Sequence, residues 1–118
     1  MSWTIKIKHT RPNTDVEFYD TRRAYRSTED TSLAVSDQNH IAAARDVALA
    51  KEGRGELISS SVTLSENELE LTKTFVYKDE PSRNAFIDDS EVLAWMFARN
   101  TYHTDNGISM DILQDEAT

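Results

Sequence analysis

Lys73 lies between Leu71 and Phe75 in the run ELTKTFVY, at a position whose neighbours two residues away on either side are apolar. In an extended strand those three side chains point the same way. A lysine on a buried face loses its hydration, its pKa falls, and it can then serve as a base or hold an anionic group. Equally, its long stem can carry the ammonium to the end of the sheet, or a bulge can turn it outward. His9 closes an alternating run, WTIKIKH, with the same parity as Trp3, Ile5 and Ile7. If helices cover that face, His9, Ser60, Lys73, Tyr77, Trp95 and His103 are the candidate lining of a cleft. His103 also has a plainer reading, as a cation near the C-terminal end of a helix, where it complements the dipole.

Other chemistries find little support. His9, His40 and His103 lack metal-ligand spacing, and the glutamate-containing zinc motifs are absent, so no metal site is expected. The chain has three glycines and no glycine-rich phosphate loop. Ser59-Ser60-Ser61 lies in a strand pattern rather than a nucleophile elbow. With no cysteine there is no disulfide, thiolate nucleophile or zinc–thiolate centre. No cofactor is expected.

The 118 residues carry 13 Lys and Arg against 21 Asp and Glu, a formal net charge of −8. That balance repels nucleic-acid phosphate and anionic membranes. The one local exception is the basic run RRAYR, Arg22 to Arg26, which reads most simply as solvated surface. The opening MSWTIKIKHTRP alternates rather than forming an apolar block, so it is expected to be a strand and not a secretory leader. No run approaches the ~18 apolar residues of a membrane span. A soluble, acidic, cytoplasmic single domain over residues 1–118 is the expectation.

The elements that must position the candidates follow from periodicity. Trp3 to His9 is a strand. Arg11-Pro12-Asn13 is a turn, and DVEFYD, Asp15 to Asp20, could be a short extended piece. A long connection runs over about residues 10–37, polar from Thr21 onward. NHIAAARDVALAKEG is a helix, capped by Ser36 or Asp37 and followed by Gly53 in a left-handed cap. LISSSVTLSENELELTKTFVY is a hairpin. A tight turn at Glu66 and Asn67 sets Leu64 opposite Leu69, Val62 opposite Leu71, Ser60 opposite Lys73 and Ile58 opposite Phe75, with Leu57 on the other face. Pro81 opens a short helix, PSRNAFID. Asp88 with Glu91 forms a capping box for a second, which runs to about His103. ISMDIL is a closing strand, and 114–118 a frayed acidic tail.

This order predicts an α+β, ferredoxin-like βαββαβ fold: a four-stranded antiparallel sheet with two helices on one face. The opposite face carries Thr4, Lys6, Lys8, Ser59, Ser61, Thr63, Thr72, Thr74, Ser109 and Asp111. VLAWMFA, Val92 to Ala98, is apolar over two full turns, more than the stripe of about 100° that one sheet can bury. Val92, Trp95, Met96 and Phe97 therefore need a second cover, either a partner subunit or the long connection.

The stretch ELTKTFVYKDEPSRNAFIDD followed by SEVLAWMFARNTYH resembles the dimeric α+β barrel families, among them the antibiotic-biosynthesis and haem-degrading monooxygenases. An aromatic strand (Phe75, Tyr77) runs into a helix opening with Ser82, Arg83 and Phe86. The resemblance covers Leu57 to Leu113 and the first strand. It implies a homodimer in which two sheets face each other, and a cleft between sheet and helices in each subunit. It also implies cofactor-independent oxygenase chemistry as an alternative to plain small-molecule binding. A structural protein with a filled core is a third reading. The family's enzymes carry a tryptophan on or near the aromatic strand, whereas here Trp95 lies in the second helix.

Overall fold

The computed structural model describes residues 1–19 and 33–118; the basic run Arg22 to Arg26 and most of the polar connection lie outside them. Its elements are β1 (Trp3–Thr10), α1 (Val35–Gly53), β2 (Leu57–Leu64), β3 (Glu70–Tyr77), α2 (Glu80–Ile87), α3 (Ser90–Asn106) and β4 (Ser109–Ala117). The strands form one antiparallel sheet in the order β2-β3-β1-β4. This is the ferredoxin-like arrangement, with the second helical segment divided into α2 and α3. The helices share one face: Ile5, Leu57 and Tyr77 of the sheet pack with Phe86 of α2 and Val92 of α3, and Val47 and Ala48 of α1 close over them.

The helix boundaries have identifiable causes. The Asp79 carboxylate accepts a hydrogen bond from the Ser82 amide at 2.9 Å and starts α2. Asp89, not Asp88, caps α3, accepting from the amides of Glu91 and Val92 at 2.9 and 3.2 Å. Gly107, at φ 70°, ends α3 in the left-handed conformation that glycine adopts without a Cβ clash. In α1 the expected caps fail. Ala34 is the N-cap and has no side-chain acceptor to offer, and Asp37, inside the first turn, accepts from the Tyr19 hydroxyl at 2.8 Å. Gly53 is the last helical residue, and the left-handed position falls on Gly55.

Pairing in the sheet corrects the expected register in three places. In the hairpin, Leu64 opposes Leu71, Val62 opposes Lys73 and Ser60 opposes Phe75, two residues on from expectation. The loop spans four residues between Ser65 and Glu70, with Glu68 at φ 63° and Asn67 Oδ1 accepting from the Leu69 amide. A shift of two preserves the face of every side chain. A bulge between Leu57 and Ser59 then exchanges the ends of β2. Leu57 is 1% exposed and Ile58 58% exposed, the reverse of the expected facing.

The third correction is at the C-terminal strand. β4 continues to Ala117 where a frayed tail was expected, and the Thr118 amide donates to the Ser2 carbonyl at 2.9 Å. Ile112 opposes Ile7 but Gln114 opposes Lys6, so Leu113 is an extra residue. That bulge inverts the facing of everything after it and brings Asp115 opposite Ile5. There Asp115 accepts from Trp3 Nε1 at 2.6 Å and Arg83 Nη2 at 2.5 Å. Partial burial opposes its ionisation, yet these two bonds and the guanidinium charge hold the carboxyl below its ordinary range.

VLAWMFA is covered in part by its own chain. Val92 packs on the sheet, whereas Trp95 packs with Tyr19, Leu33, Ile41 and Ala44, on the flanks of the connection and on α1. Phe18 and Tyr19 are each 1% exposed, although 15–19 form no strand. The Tyr102 hydroxyl donates to the Glu17 carbonyl at 2.6 Å. Arg11 fastens the same segment, with Nε donating to the Glu68 carbonyl, Nη1 to the Val16 carbonyl, and its guanidinium 4.5 Å from the Phe18 ring centre. Of the four residues expected to need a second cover, Phe97 stays 73% exposed. The β2 bulge is testable by truncation. Leu57→Ala is expected to cost about 2–4 kcal/mol in urea unfolding and Ile58→Ala less than about 0.5 kcal/mol; the unbulged register reverses that order.

Candidate functional site

β3 delivers Lys73 to the helix-covered side, and the lysine stays there. It is 3% exposed, opposite Ile7 on one side and Val62 on the other, so it neither reaches the sheet's end nor turns outward. Its Nζ lies 4.8 Å from the centre of the Trp95 ring. Arg99, one turn further along α3, brings its guanidinium 5.0 Å from the same ring and is 4% exposed. Desolvation weakens the hold of Arg99 on its proton.

His9 and His103 sit beside these cations. The rings meet edge to face with centres 5.0 Å apart, and both are buried. Burial is the largest reason that each resists protonation. The charges of Lys73 and Arg99 add to it for both rings. His103 titrates at about 4, and His9 lies lower still. His103 is therefore a neutral buried ring, not the solvated cation expected at a helix end. The carbonyl of His103 accepts instead from the Ile108 amide.

A cavity of about 90 Å³ runs between the sheet and the helices, along β3 from Lys73 to Tyr77. Its walls include Ile5, Phe75, Phe86, Val92 and Met96, with Lys73, Trp95 and Arg99 also lining it. That is well above the ~10–15 Å³ one water needs. Tyr77 lines it too, and burial drives the Tyr77 hydroxyl pKa up. Of the expected residues, the structure brings Lys73, Tyr77 and Trp95 to the cavity and places His9 and His103 beside its cationic part. Ser60 lies apart, with its hydroxyl donating to Glu52 at the end of α1. Among the described residues no group of three His, Asp or Glu could hold a metal ion, and no helix is long and apolar enough to cross a membrane.

Sequence reasoning missed Arg99. The signal was present: Val92, Trp95, Arg99 and His103 recur at helical spacing and all four are buried. An arginine inside such a stripe is as anomalous as a lysine between Leu71 and Phe75. Helical arginines are so often solvated that the spacing alone does not mark Arg99 as buried.

The neutral histidines set an acid sensitivity. Their folded pKa values lie below the ordinary 6.5, so the unfolded chain binds more protons as pH falls through that value. Their contribution is complete above about pH 6.5 and is lost as pH drops toward 4, by up to roughly 1.4 kcal/mol per pH unit for each ring. Urea unfolding at pH 7.5 and pH 5 is expected to differ by about 1–3 kcal/mol. The double change His9→Asn and His103→Gln should flatten that difference; an unaltered slope would place the titration elsewhere.

No protein-family model and no curated protein matches the chain. Solved structures do. A conserved protein of unknown function from Bacteroides thetaiotaomicron, suggested to be an oxidoreductase, aligns over 98% of this chain and 97% of its own, with TM-score 0.58 and 8% identity. A candidate antibiotic biosynthesis monooxygenase from Deinococcus radiodurans aligns over 100% and 93%, with TM-score 0.53 and 9% identity. SnoaB, a cofactor-independent oxygenase from Streptomyces nogalater, aligns over 99% and 95%, with TM-score 0.51 and 8% identity. At these identities the likeness is one of fold: the chain has the ferredoxin-like α+β fold of the antibiotic-biosynthesis-monooxygenase-like structures.

Proposed function

We propose that the protein binds a small molecule with an apolar body in the cleft between the sheet and α2 and α3, and that it does so as a homodimer. The observation that carries this reading is the cavity itself. Phe75, Phe86, Val92 and Met96 wall it, and Lys73 and Arg99 give it a polar end. A mostly apolar cleft with a few converging polar groups is the usual form of a ligand site. A structural protein with a filled core would lack it.

A second reading is a cofactor-independent oxygenase. A cation beside the cleft, such as Arg99, would stabilise an anion formed from an acidic substrate. SnoaB, which shares the fold, is described as a cofactor-independent oxygenase. Trp95 comes into the cavity from α3 rather than from β3. In this reading Lys73→Ala abolishes oxygen uptake with a turned-over substrate while circular dichroism is unchanged.

The dimer reading rests on the helix-free sheet face. Thr4, Lys6 and Lys8 pair across it with Val76, Thr74 and Thr72, and no described helix covers it. A second copy is the natural cover for such a face.

Two measurements check these readings. Titration with 1-octanol, followed by NMR, is expected to shift the signals of Phe86, Val92 and Met96, and Ala48→Trp, which fills the cavity, to suppress the shift. Absence of any shift in the parent protein removes the cleft reading. Sedimentation at micromolar concentration is expected to give twice the chain mass, and Thr74→Lys, which sets a charge beside Lys6 on the sheet face, to give a folded monomer. A monomeric parent protein removes the dimer reading.

A further inference from the structure

The walls of the cleft differ in how firmly they are held. α1 and α3 are helices of 19 and 17 residues, and α3 buries Val92, Trp95, Arg99 and His103. α2 has eight residues and buries Ser82 and Phe86. So short a helix has little stability of its own and depends on what it touches. Its apolar grip is Phe86, whose ring centre lies 5.6 Å from that of Tyr77 and 6.3 Å from that of Phe75, with Ile87 partly buried on the same core. All four of these residues line the cavity. The contacts that seat α2 on the sheet are therefore the contacts that close the cleft at its Tyr77 end.

The polar grip of α2 is Arg83. Its Nη2 donates to one oxygen of Asp115, and the other oxygen accepts from Trp3 Nε1. Asp115 stands on a fixed post: Thr118, three residues on, is bonded to Ser2 through its amide and to Thr4 through its hydroxyl. The bulge at Leu113 turns Asp115 toward α2. The Arg83 and Asp115 side chains are 25% and 30% exposed. A partly exposed ion pair is modest in strength and is screened by salt, so it can break while the fold persists. Arg83 Nε is buried without a hydrogen-bond partner among the described residues, which weakens the seated state further.

The cavity lies behind buried side chains, among them Ile5, Tyr77, Val92 and Trp95. A molecule with an apolar body needs one wall to give way. We propose that α2 is that wall: it swings off the sheet as a unit, from its ends at Asp79 and Asp88, and the Arg83–Asp115 pair is the latch that holds it shut. Phe86 and Ile87 leave with it and open the Tyr77 end. α3 can stay in place, because its start is capped by the carboxylate of Asp89 and not by α2. The proposal rests on the cleft-binding reading and adds the route by which the ligand enters and leaves.

Amide hydrogen exchange of the full chain at pH 7.5 tests the motion, and NMR line shapes with 1-octanol test its role. In the parent protein the amides of Asn84 to Asp88 are expected to exchange faster than those of Trp95 to His103, through an opening that leaves α3 closed. Asp115→Asn is expected to speed α2 exchange roughly 3–30-fold, between the worth of an exposed ion pair and that of a charge-assisted hydrogen bond, and to leave α3 unchanged. It should also raise the association and dissociation rates of octanol together, with Kd nearly unaltered. Raising sodium chloride from about 0.01 M to about 0.5 M should speed α2 exchange in the parent protein, so the latch is tested even if Asp115→Asn does not fold. Joint exchange of α2 and α3 in the parent protein overturns the moving wall and, if octanol binds, leaves the cleft reading standing. Equal acceleration of both helices by Asp115→Asn marks a merely structural ion pair and overturns the latch, as do unchanged octanol rates or α2 exchange indifferent to salt. If octanol does not bind, the cleft reading and the entry route both fall.

Discussion

The burial of Lys73 and Arg99 against one indole ring is the constraint around which the helix-covered half of the molecule is arranged. Both cations lie within about 5 Å of the centre of the Trp95 ring, so the placing of that ring places them. Trp95 is fixed by a shell drawn from distant parts of the chain: Tyr19 and Leu33 from the flanks of the connection, Ile41 and Ala44 from α1. The small side chains of α1 matter here, because they let the helix approach closely enough to cover Trp95 and, through Val47 and Ala48, the sheet core as well. The flanks of the connection, one of the covers expected for VLAWMFA, are thus part of the wall. Tyr19, set edge-on to Trp95 and Tyr102, is held through its hydroxyl by Asp37.

Much of this was legible in the sequence where one local rule acts alone. The alternation of Trp3 to His9, the facing of Val62, Leu71, Lys73 and Phe75, and the glycine that ends α3 each follow from a period or a residue type. The errors lie where geometry must be counted rather than patterned. The hairpin's partners depend on whether its loop centres between Glu66 and Asn67 or between Asn67 and Glu68, and both leave the same residues facing inward. The bulges at Ile58 and Leu113 carry no sequence mark, yet each inverts everything beyond it. Asp115 would face away from Trp3 and Arg83 without the second of them. At the site, Lys73 stood out because an isolated lysine breaks a strand pattern. Arg99 did not, because arginines interrupt helices everywhere.

The neighbours in fold share 8–9% identity with this chain, so their likeness concerns the backbone. The ferredoxin-like sheet with helices on one face makes a cleft, and its lining is then free to vary. In this chain the lining combines an aromatic strand, a tryptophan brought in by the facing helix, and cations where a plain core would place leucine. The chemistry is set by those substitutions of type, not by the topology that presents them.

Trp95 has one more consequence. An indole's excited state carries a larger dipole than its ground state, so nearby fixed charges shift its emission. The chain's other tryptophan, Trp3, is half-buried at the start of β1 and hydrogen-bonded to Asp115. It lies outside the cationic environment of Lys73 and Arg99. The two tryptophans are thus a paired optical probe, in which one ring senses the field inside the cleft and the other supplies a reference from the same molecule.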